Sequence, residues 1–108
     1  MARIALDAMG GDHAPQAPVA GALEAIAELD TAHSVQLVGR RDAIQKELDR
    51  VGLSSDGQRK RLDIVDAADV IEMTDKPTAV RGKLNSSMMI GLKLQADGKS
   101  DAFVSAGN

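Results

Sequence analysis

The chain has 108 residues, of which 44% are hydrophobic and 27% charged, with a formal net charge of -3. That composition reads as one small, soluble globular domain, and it argues against a duplex nucleic-acid binder, which needs a basic face to neutralise phosphates. The absence of cysteine removes disulfides, thiolate nucleophiles and cysteine metal sites, and no apolar run approaches the ~20 residues of a spanning helix.

Arg3 to Leu6 form a short apolar run closed by Asp7. The cluster Met9-Gly10-Gly11-Asp12-His13-Ala14-Pro15 follows, and glycine pairs and proline punctuate structure, so the segment reads as a strand and then a loop. From Pro18 the spacing changes. Val19, Ala22, Leu23, Ile26 and Leu29 recur at helical intervals, which predicts an amphipathic helix. Pro15 and Pro18 suit a helix start, where a missing N–H costs little. Val35, Leu37 and Val38, ending at Gly39, predict a second strand. Ile44, Leu48 and Val51 predict a second helix, with Asp42 in its first turn and Gly52 placed to end it.

Ser54 to Arg61 is polar and basic and reads as a solvated loop. Leu62, Ile64 and Val65 predict a third strand, and Val70 to Met73 either extend it or form another. Thr74 to Leu84 reads as irregular, with Lys76, Arg81 and Lys83 close together. Ser86 or Ser87 is placed to cap a helix carrying Met89, Leu92 and Ala96, which Gly98 ends. Ala102, Phe103 and Val104 predict a last strand, and Phe103 is the sole aromatic residue. Strands alternating with helices predict an α/β fold whose mostly parallel sheet is joined by right-handed crossovers.

Open α/β sheets bind ligands beyond the carboxyl ends of their strands. Two loops qualify. In Asp7-Ala8-Met9-Gly10-Gly11-Asp12-His13, Gly10 and Gly11 let the backbone approach a ligand, and successive N–H groups form an anion cradle. The spacing meets neither G-x-G-x-x-G nor a P-loop. Asp7, Asp12 and His13 are candidates for an acid–base group or a metal site, and the aspartates equally suit turn caps. The second loop, Ser105-Ala106-Gly107-Asn108, offers a hydroxyl and an amide to a phosphate or carbonyl oxygen. Ser86 and Ser87 offer hydroxyls at a helix start, and Arg81 and Lys83 are the cationic candidates. His33 reads as structural or solvated, Arg59-Lys60-Arg61 as a solvated surface, and Met88-Met89 as core.

Taken together these residues carry a resemblance. Ile4-Ala5-Leu6-Asp7-Ala8-Met9-Gly10-Gly11-Asp12-His13-Ala14-Pro15 resembles the N-terminal signature of the acyl-carrier-protein:phosphate acyltransferases, the PlsX family. Asp101-Ala102-Phe103-Val104-Ser105-Ala106-Gly107-Asn108 resembles the start of that family's second signature, which normally runs on into Thr-Gly-Ala. Lys76-Pro77, Arg81 and Ser86-Ser87-Met88 match its middle pattern in kind and order.

The resemblance implies an enzyme that moves a fatty acyl group from acyl carrier protein to inorganic phosphate, giving an acyl phosphate for phospholipid synthesis. It implies no cofactor and no metal. It implies a cytoplasmic homodimer with peripheral membrane contact, and a two-lobed fold like that of the phosphotransacetylases and isocitrate-type dehydrogenases. Residues 1–108 would be the N-terminal segment of one larger α/β enzyme, inactive alone. By motif, Gly10 and Gly11 would shape the first loop and Asp12 and His13 would line the cleft as catalytic candidates. Asp7, Ser105, Gly107 and Asn108 would bind phosphate or the acyl carbonyl, with Arg81, Ser86 and Ser87 behind them. The competing readings are a non-catalytic α/β module that holds a phosphate-containing ligand, and a dehydrogenase relative, which would need a nicotinamide site and a metal-binding carboxylate set.

Overall fold

The computed structural model describes residues 2–28, 33–52, 60–67 and 86–106. In chain order the elements are β1 (Arg3–Asp7), α1 (Gln16–Glu28), β2 (Ser34–Gly39), α2 (Arg41–Val51), β3 (Leu62–Asp66), α3 (Ser87–Ala96) and β4 (Ala102–Val104). All strand pairings are parallel, and the sheet order is β3-β2-β1-β4. The chain thus steps from β1 to β2 to β3 in one direction, then returns to lay β4 on the far side of β1. Right-handed crossovers place helices on opposite faces of the sheet for opposite directions of travel.

The packing shows that division. On one face Val19, Ala22 and Ile26 of α1 and Ile44 and Leu48 of α2 bury against Val35, Leu37 and Leu62. On the other, Ile90 and Leu94 of α3 pack with Ala5, Val38, Ala67 and Phe103. Alternation along each strand decides which side chain goes where, because the period of a strand is two. In β1, Leu6 joins the α1 face while Ala5 joins the α3 face. Asp7, two residues after Ala5, therefore points to the α3 side.

α1 begins at Gln16, between the two prolines rather than at Pro18, and the Ala14–Pro15 peptide is cis. Pro18 falls in the first turn, where its absent N–H has no intrahelical partner to lose. Gly52 closes α2 with φ 74°, donating its N–H to Leu48 O at 3.0 Å. Ser86 caps α3 by accepting the Met89 N–H at 3.2 Å.

The buried stripe of α3 departs from the expected one. Leu92 and Ala96 are exposed, whereas Ser87 and Gly91 are buried and Ile90 and Leu94 half-buried. A helix that is apolar nearly all round gives periodicity little to choose from. Gly91 makes the choice: the Phe103 ring lies so close that a Cβ built on Gly91 would stand 2.2 Å from it. Arg61 also departs from a solvated loop. Its guanidinium donates to His33 O at 2.9 Å and to Ile26 O at 3.0 Å, satisfying a carbonyl in the last turn of α1. His33 Nδ1 accepts the Ala2 N–H at 2.9 Å, so this histidine ties the residue before β1 to the start of β2. The Val70–Met73 strand candidate and the Thr74–Leu84 segment lie outside the described residues.

A reciprocal strap joins the start of β1 to the approach to β4. Arg3 N donates to Asp101 Oδ2 at 2.7 Å, and Asp101 N donates to Arg3 O at 2.7 Å. The Arg3 backbone N–H, and then its guanidinium, hold the Asp101 carboxyl below the usual carboxylate range. A folded-state pKa depressed in this way stabilises the fold above the unfolded value, and the contribution is lost as pH falls through the folded value. Stability should therefore drop below a pH of about 4, and Asp101→Asn should flatten part of that drop in acid titrations followed by circular dichroism.

Gly91→Ala sets two effects against each other. Alanine favours a helix interior by about 1 kcal/mol over glycine, but overpacking against a fixed ring costs about 1–3 kcal/mol. The 2.2 Å approach decides for the clash. The urea midpoint should fall in Gly91→Ala and recover in part in Gly91→Ala with Phe103→Leu.

Candidate functional site

The direction of travel reverses between β1 and β4, which makes their carboxyl ends the switch point where such sheets bind ligands. Register then brings the chemistry together. Ile4 pairs with Ala102, Ala5 with Phe103 and Leu6 with Val104, so Asp7 and Ser105 fall opposite one another one step further on. Both carry the parity of Ala5 and Phe103, the face that α3 covers. α3 starts there with Ser87.

Asp7 is 4% exposed and accepts three hydrogen bonds. Its Oδ1 takes the Ser87 hydroxyl at 2.6 Å and the Met9 N–H at 3.0 Å, and its Oδ2 takes the Ser105 hydroxyl at 2.8 Å. A buried carboxylate needs such donors, and the N-terminal turn of α3 adds a favourable field. Three segments distant in sequence, the ends of β1 and β4 and the start of α3, thereby meet on one side chain.

Gly10 and Gly11 fit the backbone around that cluster. A Cβ on Gly10 would stand 3.1 Å from both Asp7 Oδ2 and Ser105 Oγ and 3.3 Å from Ala106 N. Gly11 has φ 85°, in the left-handed region that favours glycine. The loop curls over a cavity of about 410 Å³ lined by Asp7, Gly10, Gly11, Asp12, His13 and Ser105, with Leu6, Ala17, Pro18, Val104 and Ala106 completing the wall. Asp12 and His13 are exposed at its rim. A second, apolar cavity of about 250 Å³ adjoins it along α1 and shares Leu6, Pro18 and Val104.

The expected site residues therefore divide. Asp7, Gly10, Gly11, Asp12, His13 and Ser105 gather at one cavity. Ser86 and Ser87 are buried, with their hydroxyls engaged inside the protein, one in the cap and one on Asp7. Arg81, Lys83, Gly107 and Asn108 lie outside the described residues. Among the described residues lining the cavity there is no lysine or arginine, and no three His, Asp or Glu side chains of the described residues converge as metal ligands. Sequence reasoning missed the apolar partners Leu6, Pro18 and Val104. The signal was present in the strand parity, which turns Leu6 and Val104 away from the Asp7–Ser105 face.

The fold defines a parallel α/β unit with a cavity at a sheet switch point, the place where such sheets bind ligands. Residues 2–108 match the family described as fatty acid synthesis protein, and the chain belongs to that family. It is 50% identical over 107 residues to the phosphate acyltransferase of Heliobacterium modesticaldum, covering 98% of this chain and 30% of that protein. It is 46% identical to the phosphate acyltransferase of Akkermansia muciniphila, with the same coverage, and 49% identical to that of Herpetosiphon aurantiacus, covering 98% of this chain and 27% of that protein. The chain thus spans about 30% of the length of these curated relatives.

The serine pair allows a direct comparison. Ser87→Ala leaves a buried carboxylate short of a charge-assisted hydrogen bond, at a cost of about 1.5–3 kcal/mol. Ser86→Ala removes a helix cap, at a cost of about 1 kcal/mol. Urea unfolding should show the larger loss in Ser87→Ala.

Proposed function

We propose that this chain forms the phosphate-binding side of an acyl transfer centre. The enzyme it belongs to moves a fatty acyl group from acyl carrier protein to inorganic phosphate. The observation that carries the reading is the pair of adjoining cavities: one that has Asp7, Asp12, His13 and Ser105 among its lining residues, and one with an apolar lining that shares Leu6, Pro18 and Val104 with it. A reaction that joins an anion to a long hydrocarbon acyl group needs both environments side by side.

The chemistry follows. A phosphate oxygen attacks the thioester carbonyl carbon and the carbonyl oxygen takes up negative charge. The carbon–sulfur bond then breaks, releasing acyl phosphate and the carrier thiol with its proton. The enzyme must hold the anion against the carbonyl and offer N–H donors where charge develops. The Gly10–Gly11 loop supplies backbone for the first task. Asp12 and His13 at the rim are the groups placed to move a proton. Arg81, Gly107 and Asn108 complete the phosphate contacts in this reading, and no cofactor is required. The whole enzyme is a two-lobed homodimer of the phosphotransacetylase and isocitrate dehydrogenase type. It works in the cytoplasm with peripheral membrane contact and acts with acyl carrier protein as partner. Residues 1–108 are its N-terminal segment.

The test is acyl phosphate formation from an acyl carrier protein thioester and inorganic phosphate, in this chain and in a version extended to the length of the relatives. Turnover is expected only in the extended protein. Failure of both, with tight phosphate or nucleotide binding by this chain, would replace the enzyme with a binding module.

A further inference from the structure

We infer that Met9 and Gly39 are a positioning pair for the cavity: the Met9 side chain, seated against Gly39, holds the Gly10–Gly11 loop in the place where it meets phosphate. This rests on the reading of the cavity as a phosphate site.

The loop leaves β1 through Met9, which is held in two ways. Its N–H donates to Asp7 Oδ1 at 3.0 Å, and the next N–H, that of Gly10, donates to Asp7 O at 3.4 Å. Those bonds tie the loop to its own strand. The Met9 side chain ties it to the neighbouring strand. A Cβ built on Gly39, the last residue of β2, would stand 2.8 Å from Met9 Cγ and 3.0 Å from Met9 Sδ. Ile44 Cδ1, on a fully buried side chain of α2, would lie 3.2 Å from the same point.

The backbone at Gly39 does not call for glycine, because its φ is outside the left-handed region. The space does, as at other strand glycines where a neighbour comes close. Met9 Cγ lies near the backbone, so methionine cannot clear a methyl group at position 39 by swinging its far end. It must turn about χ1 and leave the seat, or carry its own backbone with it. In both cases the residue next to Gly10 loses its hold on β2. Neither Met9 nor Gly39 is among the residues that line the cavity. They are positioning residues, acting through the loop. A shift of about 1 Å at a group that orients a reactant corresponds to as much as about a hundred-fold in rate.

The test is steady-state kinetics in a full-length acyltransferase that carries this segment. Gly39→Ala should raise the KM for inorganic phosphate by roughly tenfold or more, with the KM for the acyl carrier protein thioester nearly unchanged. Met9→Ala, which removes the side chain from its seat, should raise the phosphate KM as well. With Met9→Ala already present, Gly39→Ala should add almost nothing, since the side chain it displaces is gone. A packing role alone would lower the urea midpoint and leave the phosphate KM where it was. Turnover with an unchanged phosphate KM in Gly39→Ala, or with two single effects that simply multiply in the double variant, overturns this inference and leaves the proposed function standing. Should Gly39→Ala fail to fold, Met9→Ala decides alone, and an unchanged phosphate KM there overturns the inference. Absence of both turnover and phosphate binding in the unsubstituted enzyme removes the inference and the proposed function together.

Discussion

The carboxylate of Asp7 is the point on which the described structure turns. It ends the central strand β1, and it draws to itself a hydroxyl from the start of α3 and another from the end of β4. Those segments lie 80 and 98 residues away in sequence. A buried carboxylate without donors would be expensive, so the positions of α3 and β4 are bound to the side chain of one residue. The chain-reversing topology supplies the reason Asp7 can do this. Only the strand at the switch point has a neighbour added from each direction, and so only its end is reached by both halves of the fold.

The same residue lines the cavity. An anion site is usually imagined as a place of positive charge. Here the described wall carries two aspartates and a histidine, and the hydroxyl of Ser105 on that wall donates to Asp7. Attraction, in the proposed enzyme, falls to groups such as Arg81.

Most of the architecture was legible in the sequence because its strands are short, apolar and punctuated. Val35 to Gly39 and Leu62 to Val65 announce themselves as strands, and Val19, Ala22 and Ile26 as a helix face. The loop at the cavity was legible for a different reason: a glycine pair straight after a strand marks a turn where the backbone can come close to its neighbours. What could not be read was pairing at long range. Ser86 and Ser87 both suit a cap; capping falls to Ser86, while Ser87 serves Asp7. Arg61 looked solvated because nothing local shows that Ile26 O and His33 O converge on it. The face of α3 was misassigned because hydrophobicity scales give no weight to Gly91, the residue that fits the ring.

That ring has a consequence for how this protein can be observed. With no tryptophan and no tyrosine, Phe103 is the only benzenoid ring in the chain, and its edge lies against Gly91, where a Cβ would stand 2.2 Å from it. The protein is nearly silent in conventional fluorescence, yet it contains one isolated source of ring current. The α-protons of Gly91 sit in that field whenever β4 is docked against α3. A single pair of displaced proton resonances therefore reports, without any label, whether the edge strand that carries Ser105 is in place.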